Sequence, residues 1–95
     1  MKTLIYKPKS DMGKKTIQRI ISGKFLDISL TSDKYQLVNI RIFNLIGDSK
    51  ISVWEEIYSG VNALTIDISG LIRGSYRLVV NYPDCRVNEE SFTIC

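Results

Sequence analysis

The sequence contains no histidine. That absence removes the commonest general base, the usual partner of an activated nucleophile and the most frequent metal ligand together. Cysteine is scarce: only Cys85 and Cys95 occur, and they form no C-x₂-C pair of the kind that holds zinc. No run approaches the roughly 20 apolar residues of a transmembrane helix. The longest apolar runs, such as Leu78-Val79-Val80, are strand-sized. Serines are many, but none sits in a G-x-S-x-G elbow, and the glycines stand singly instead of forming a phosphate-binding loop. There is no EF-hand loop and no N-x-[ST] sequon, and Asp48 and Asp84 read as turn formers. An enzyme is not expected, nor a cofactor or a bound metal.

The remaining chemistry-bearing groups are carboxylate pairs at Glu55-Glu56 and Glu89-Glu90. On strands, adjacent residues point to opposite faces, so neither pair flanks one substrate bond. Both read as ordinary surface charge.

What is present describes a globular domain. The chain has 95 residues, 44% hydrophobic and 24% charged, which fits one domain with a single core. Charge is uneven along it. Residues 1–24 carry seven basic groups and one acid, net +6, whereas residues 25–95 carry six basic and nine acidic groups, net −3. A basic arm raises nucleic acid or an anionic membrane surface as a partner, with steep salt dependence as the mark of the former. Tyr6 is the only aromatic residue among those lysines, so the stacking platform of a single-strand binder is missing. The arm reads as a solvated entry segment, and no nucleic-acid partner is expected.

The hydrophobic period is two almost throughout. Thr3–Tyr6 is a β-prone run stopped by Lys7-Pro8, and residues 9–15 form a polar loop around Gly13. Ile17, Ile20 and Ile21 make an edge strand with an irregularity. Leu26, Ile28 and Leu30 alternate with Asp27 and Ser29, then Thr31-Ser32-Asp33-Lys34 reads as a polar connection. Val38, Ile40 and Ile42 form an inward face against Asn39, Arg41 and Phe43. After a turn at Gly47-Asp48 the alternation leaves either face open to burial; Ile51, Val53 and Ile57 are placed inward, leaving Trp54 and Tyr58 on the other face. Leu64, Ile66 and Ile68 alternate again, Gly70 and Gly74 bracket a corner at Leu71 and Ile72, and Tyr76, Leu78, Val80 and Tyr82 follow. Pro83-Asp84 closes a hairpin onto a last strand over residues 87–94, with Phe92 and Ile94 in the core.

Seven to eight short antiparallel strands with turns every 8–12 residues predict an all-β immunoglobulin/fibronectin-like β-sandwich. The unit is one domain over residues 1–95. Residues 1–23 supply an N-terminal strand, the basic loop and the edge strand, and residues 24–95 the sandwich core. Cys85 and Cys95 at the two ends of a strand lie ~33 Å apart, far beyond the roughly 4.4–6.8 Å between Cα atoms that a disulfide spans. Two free thiols are expected. A monomer or weak oligomer is expected as well.

Trp54 and Tyr58 are the candidate interaction residues. On a solvated face they form an apolar platform suited to a sugar ring or a partner protein. Leu71, Gly74 and Tyr76 are the candidate structural corner: Tyr76 follows a corner glycine, where its hydroxyl reaches upstream backbone.

From Leu64 to Val80 the sequence also resembles a known pattern. Thr65-Ile-Asp-Ile-Ser-Gly-Leu-x-x-Gly-x-Tyr76-x-Leu is similar to the I-D-L-S-G-L-P-A-G-x-Y-x-L motif of small secreted β-sandwich domains in Bacteroides and relatives. Upstream, Val38-x-Ile-x-Ile, Gly47 and Val53-Trp-Glu-Glu look like the same domains' V-x-I-x-I…G-x-x-V-Y-x-E segment. The resemblance covers about residues 24–94. It departs from the motif at Ile72-Arg73, where Pro-Ala is common. One family with this pattern is a domain of unknown function found as short secreted proteins; another is the C-terminal sorting domain of the type IX (Por) secretion system. Sorting domains follow a large cargo and often end in a basic residue, where this chain has Cys95, so the stand-alone family fits better.

The resemblance implies a non-catalytic exported module engaged in protein interaction or cell-surface display, with a protein or glycan partner. The alternatives are a carbohydrate-binding module using Trp54 and Tyr58, or a secretion sorting domain. It implies a location in the periplasm, at the cell surface or outside the cell, with the signal peptide absent from residues 1–24; a cytoplasmic location is the alternative.

Overall fold

Alternation of apolar and polar residues lays down seven strands in the computed structural model, which describes residues 16–21 and 24–95. They are β1 (Ile17–Ile21), β2 (Phe25–Ser32), β3 (Gln36–Asn44), β4 (Ser49–Ile57), β5 (Gly60–Asp67), β6 (Gly74–Asn81) and β7 (Val87–Ile94). The expected strand at Thr3–Tyr6 and the polar loop over 9–15 lie outside the described residues. Two antiparallel sheets result, one ordered β1-β2-β5 and the other β4-β3-β6-β7. The described part is all-β and sandwich-like, with one core shared by both sheets.

Strand parity sets that core. Leu26, Ile28 and Leu30 of β2 and Ile66 of β5 face Val38, Ile40 and Ile42 of β3, Leu78 and Val80 of β6, and Phe92 and Ile94 of β7. Each such side chain removed from water stabilises the fold by about 1.5–3 kcal/mol. β-Branched residues at these positions suit a pleated surface packed on one side.

The polar connection expected over residues 31–34 is shorter than that. Thr31 and Ser32 continue β2, because Val61 and Gly60 of β5 extend the ladder opposite them. The Ser32 hydroxyl then donates to the Lys34 carbonyl (2.6 Å) and accepts from Gln36 Nε2 (2.7 Å). These bonds satisfy two buried polar side chains where the chain leaves one sheet for the other.

β1 is an edge strand whose register with β2 slips between Ile17 and Arg19, a bulge of one residue. Its start is held from the opposite sheet: Glu90 Oε1 on β7 accepts from the backbone N–H groups of Thr16 (2.9 Å) and Ile17 (3.0 Å). Glu90 therefore clasps the two layers together, a role beyond surface charge. Cys85 and Cys95 flank β7 at its opposite ends, both exposed and unbridged.

Candidate interaction surface

Strands β3 and β4 pair with Gln36 opposite Ile57, Leu37 opposite Glu56 and Asn39 opposite Trp54. The same register carried one step further sets Tyr35 opposite Tyr58. Parity puts Tyr35, Leu37 and Asn39 on the outward face with Trp54, Glu56 and Tyr58. On this strip four large apolar side chains are open to solvent: Trp54 is 68% exposed, Tyr58 55%, Tyr35 54% and Leu37 45%. Among the described residues β4 is an edge of its sheet, so there the strip runs along an open margin.

Trp54 and Tyr58 lie outward as expected, but Glu56 sits between them on the same face. The aromatic partner of Tyr58 is Tyr35, with ring centroids 5.3 Å apart and planes inclined at 53°. The Tyr58 hydroxyl donates to Glu56 Oε1 at 2.9 Å. That hydrogen bond, and then the carboxylate charge, hold the phenol above its ordinary ionisation range. The surface is Trp54, Glu56 and Tyr58 in sequence along β4 and just past its end, with Tyr35 tilted against Tyr58 from just before the start of β3. Tyr35 escaped the sequence reading because it lies 23 positions from Tyr58 and meets it only once the β3–β4 register is known. An aromatic residue just before an apolar alternation is the only signal it leaves.

The backbone beneath the strip is fixed. Asn62 Oδ1 accepts from the Tyr58 N–H (2.8 Å), and its Nδ2 donates to the carbonyls of Tyr58 (2.8 Å), Gly60 (3.2 Å) and Leu30 (3.2 Å). One carboxamide thus ties the crossover from β4 to β5 onto β2. Beside Trp54, the buried Asn39 donates to the Val53 carbonyl (3.1 Å) and Ser52 Oγ (3.3 Å) and accepts from Arg41 Nε (3.0 Å). Its burial on the outward face is satisfied by neighbours from both strands.

The corner residues play a structural part. Leu71 packs against the core. Gly74 has φ +149°, a conformation that side chains other than glycine's rarely adopt. The Tyr76 ring stacks on Phe92 at 5.8 Å between centroids, and its hydroxyl bonds the Ile72 carbonyl.

Among the described residues, no three His, Cys, Asp or Glu side chains gather as a metal site, and no helix is long and apolar enough to cross a membrane. No protein-family model matches the chain, and a search of curated proteins returned no match.

Proposed function

We propose that this domain is a non-catalytic immunoglobulin/fibronectin-like module that binds a protein partner through the Tyr35–Leu37–Trp54–Tyr58 strip and works outside the cytoplasm. The observation that carries the reading is the exposure of four large apolar side chains on one outward face shared by β3 and the edge strand β4. Contiguous apolar exposure of this kind marks interaction surfaces, and aromatic residues dominate their energetics. The margin of β4, unpaired among the described residues, adds a route by which an extended partner segment joins the sheet.

Strand order supports the finer fold. Strands one, two and five share a sheet, as A, B and E do in an immunoglobulin domain, while three, six and seven correspond to C, F and G. The fourth strand lies beside the third, as a C′ strand does. Export rests on the resemblance of Leu64–Val80 to secreted sandwich domains.

A glycan is the second reading. Glu56 between exposed rings offers a hydroxyl acceptor beside apolar faces, the combination that holds a sugar. The test compares the wild type with Trp54→Ala and Tyr58→Ala on a glycan array and in quantitative capture from secreted and envelope fractions. Loss of a specific ligand in variants of unchanged melting temperature supports the strip. Undiminished binding by both variants refutes it, and the array decides between sugar and protein.

A further inference from the structure

The end of the domain opposite the tyrosine pair carries a second apolar surface of different character. Leu45 and Ile46, in the turn between β3 and β4, are each 83% exposed, and Ile72, in the corner between β5 and β6, is 80% exposed. The turn and the corner line one open groove of about 430 Å³, together with Leu71, Lys50 and Arg73. Two cations and no carboxylate contribute to that lining. Asp48 is the one carboxylate within the two loops.

Part of the backbone at each tip is hydrogen-bonded within its own loop. Asn44 Oδ1 accepts from the N–H groups of Ile46 (3.2 Å) and Asp48 (2.9 Å), and the Asn44 carbonyl accepts from Gly47 N–H (3.1 Å). In the corner, Leu71 N–H donates to the Ile68 carbonyl (3.0 Å), and the Ile72 carbonyl accepts from the Tyr76 hydroxyl (2.6 Å). Pairing of these groups lowers the cost of bringing the tips to the headgroup–acyl boundary, where the remaining main-chain groups still meet water and headgroups.

We infer that this end docks on an anionic lipid bilayer. Leu45, Ile46 and Ile72 enter the headgroup–acyl boundary, and Lys50 and Arg73 lie against lipid phosphates. A bilayer fits better than a protein partner on two counts. The protruding side chains are aliphatic, carry no hydrogen-bonding tip and need no shape-matched pocket in lipid, whereas protein hot spots favour aromatic anchors. The flanking charge is positive, which complements phosphatidylglycerol or phosphatidylserine surfaces. Three aliphatic tips and two cations give weak, reversible, salt-sensitive attachment. The inference is independent of the partner bound at the other end.

Co-sedimentation of the full chain with phosphatidylcholine vesicles, alone or mixed with phosphatidylglycerol, tests it. The wild type partitions onto the mixed vesicles at low salt and far less onto phosphatidylcholine alone. The double variant Leu45→Ser/Ile46→Ser lowers partitioning about tenfold or more, and Arg73→Gln lowers it about fivefold. Trp54 emission stays unshifted on binding, because the outward strip remains in water. All three substituted sites are surface positions, so circular dichroism of each variant matches the wild type. Unchanged partitioning of the double variant would overturn the inference and assign binding to the basic segment over residues 1–24. Absence of wild-type binding would also overturn it. Self-association abolished by the double variant, without vesicle binding, would make a second copy of the chain the occupant instead.

Discussion

The phenol hydroxyl of Tyr76 donates to the carbonyl of Ile72, 2.6 Å away and four residues upstream. This bond fastens the β5–β6 corner from inside, since the Tyr76 ring is buried against Phe92. Tyr76→Phe keeps the ring and removes the bond. The expected loss is about 1 kcal/mol, read as a lower denaturant midpoint at constant slope. An unchanged midpoint would show the bond to be energetically idle.

Ile40 is fully buried at the centre of its sheet, with Val53 and Val80 as its cross-strand neighbours. Ile40→Val is expected to destabilise by about 0.5–1.5 kcal/mol and Ile40→Ala by about 2–5 kcal/mol. Urea titration measures both. A loss for Ile40→Ala no greater than for Ile40→Val would mean that neighbouring side chains collapse into the space.

Glu90 holds the first residues of β1 to β7 by accepting two backbone N–H bonds. Glu90→Ala leaves those donors without their acceptor and is expected to cost about 1.5–2 kcal/mol, the lower part of the range for a charged hydrogen bond because the site is half-buried. Amide hydrogen exchange gives the more specific readout. Residues of β1 lose protection in Glu90→Ala and recover part of it in Glu90→Gln, while β3 and β6 are unchanged.

Cys85 has φ +74°, in the left-handed region, within the turn that joins β6 to β7. A side chain there costs roughly 1–2 kcal/mol, partly offset against glycine by the latter's looser unfolded chain. Cys85→Gly is therefore expected to stabilise by up to about 1 kcal/mol, and Cys85→Val, branched at Cβ, to destabilise by about 1 kcal/mol or more. Opposite shifts in melting temperature confirm the strain. Equal shifts remove it.

Two exposed carboxylates contribute to the acid limb of stability and one exposed phenol to the alkaline limb. Asp67 is held below the ordinary carboxylate range by hydrogen bonds from the Ser69 hydroxyl and backbone N–H, and Asp84 by the Arg86 N–H and guanidinium. A folded-state value below the unfolded one stabilises above the unfolded value, and that contribution is lost as pH falls through the folded value. Stability should accordingly hold near neutrality and decline below about pH 4, with a shallower decline in Asp67→Asn. Tyr58 behaves in the opposite sense. Its raised value contributes fully below the ordinary phenol range and is lost as pH rises through the folded value. In ultraviolet titration, Glu56→Gln should bring Tyr58 ionisation to lower pH.

Local alternation made the core legible. Val38, Ile40 and Ile42, or Leu26, Ile28 and Leu30, declare their face because parity on a strand leaves one choice once most of a run is apolar. Parity alone left the faces of β4 open, since Trp54 and Tyr58 compete with Ile51, Val53 and Ile57, and packing of Ile57 into the core decides for the aromatic face outward. What stayed hidden depends on which strands meet. Tyr35 joins Tyr58 through the β3–β4 register, and Asn39 is covered by Arg41 and Ser52 from its own strand and its neighbour. Glu90 finds its donors more than 70 residues away on the other sheet. Thr31 and Ser32 look like loop by composition and are strand because β5 continues opposite them.

The placement of Cys85 and Cys95 at either end of β7 has a practical consequence. An eight-residue strand separates the two exposed thiols by roughly 30 Å, so each can carry a reporter that senses one pole alone. A fluorophore on Cys95 stands near the aliphatic tips, and one on Cys85 near the tyrosine pair. Single-cysteine variants therefore allow the same molecule to be immobilised in either orientation, with one pole presented and the other masked.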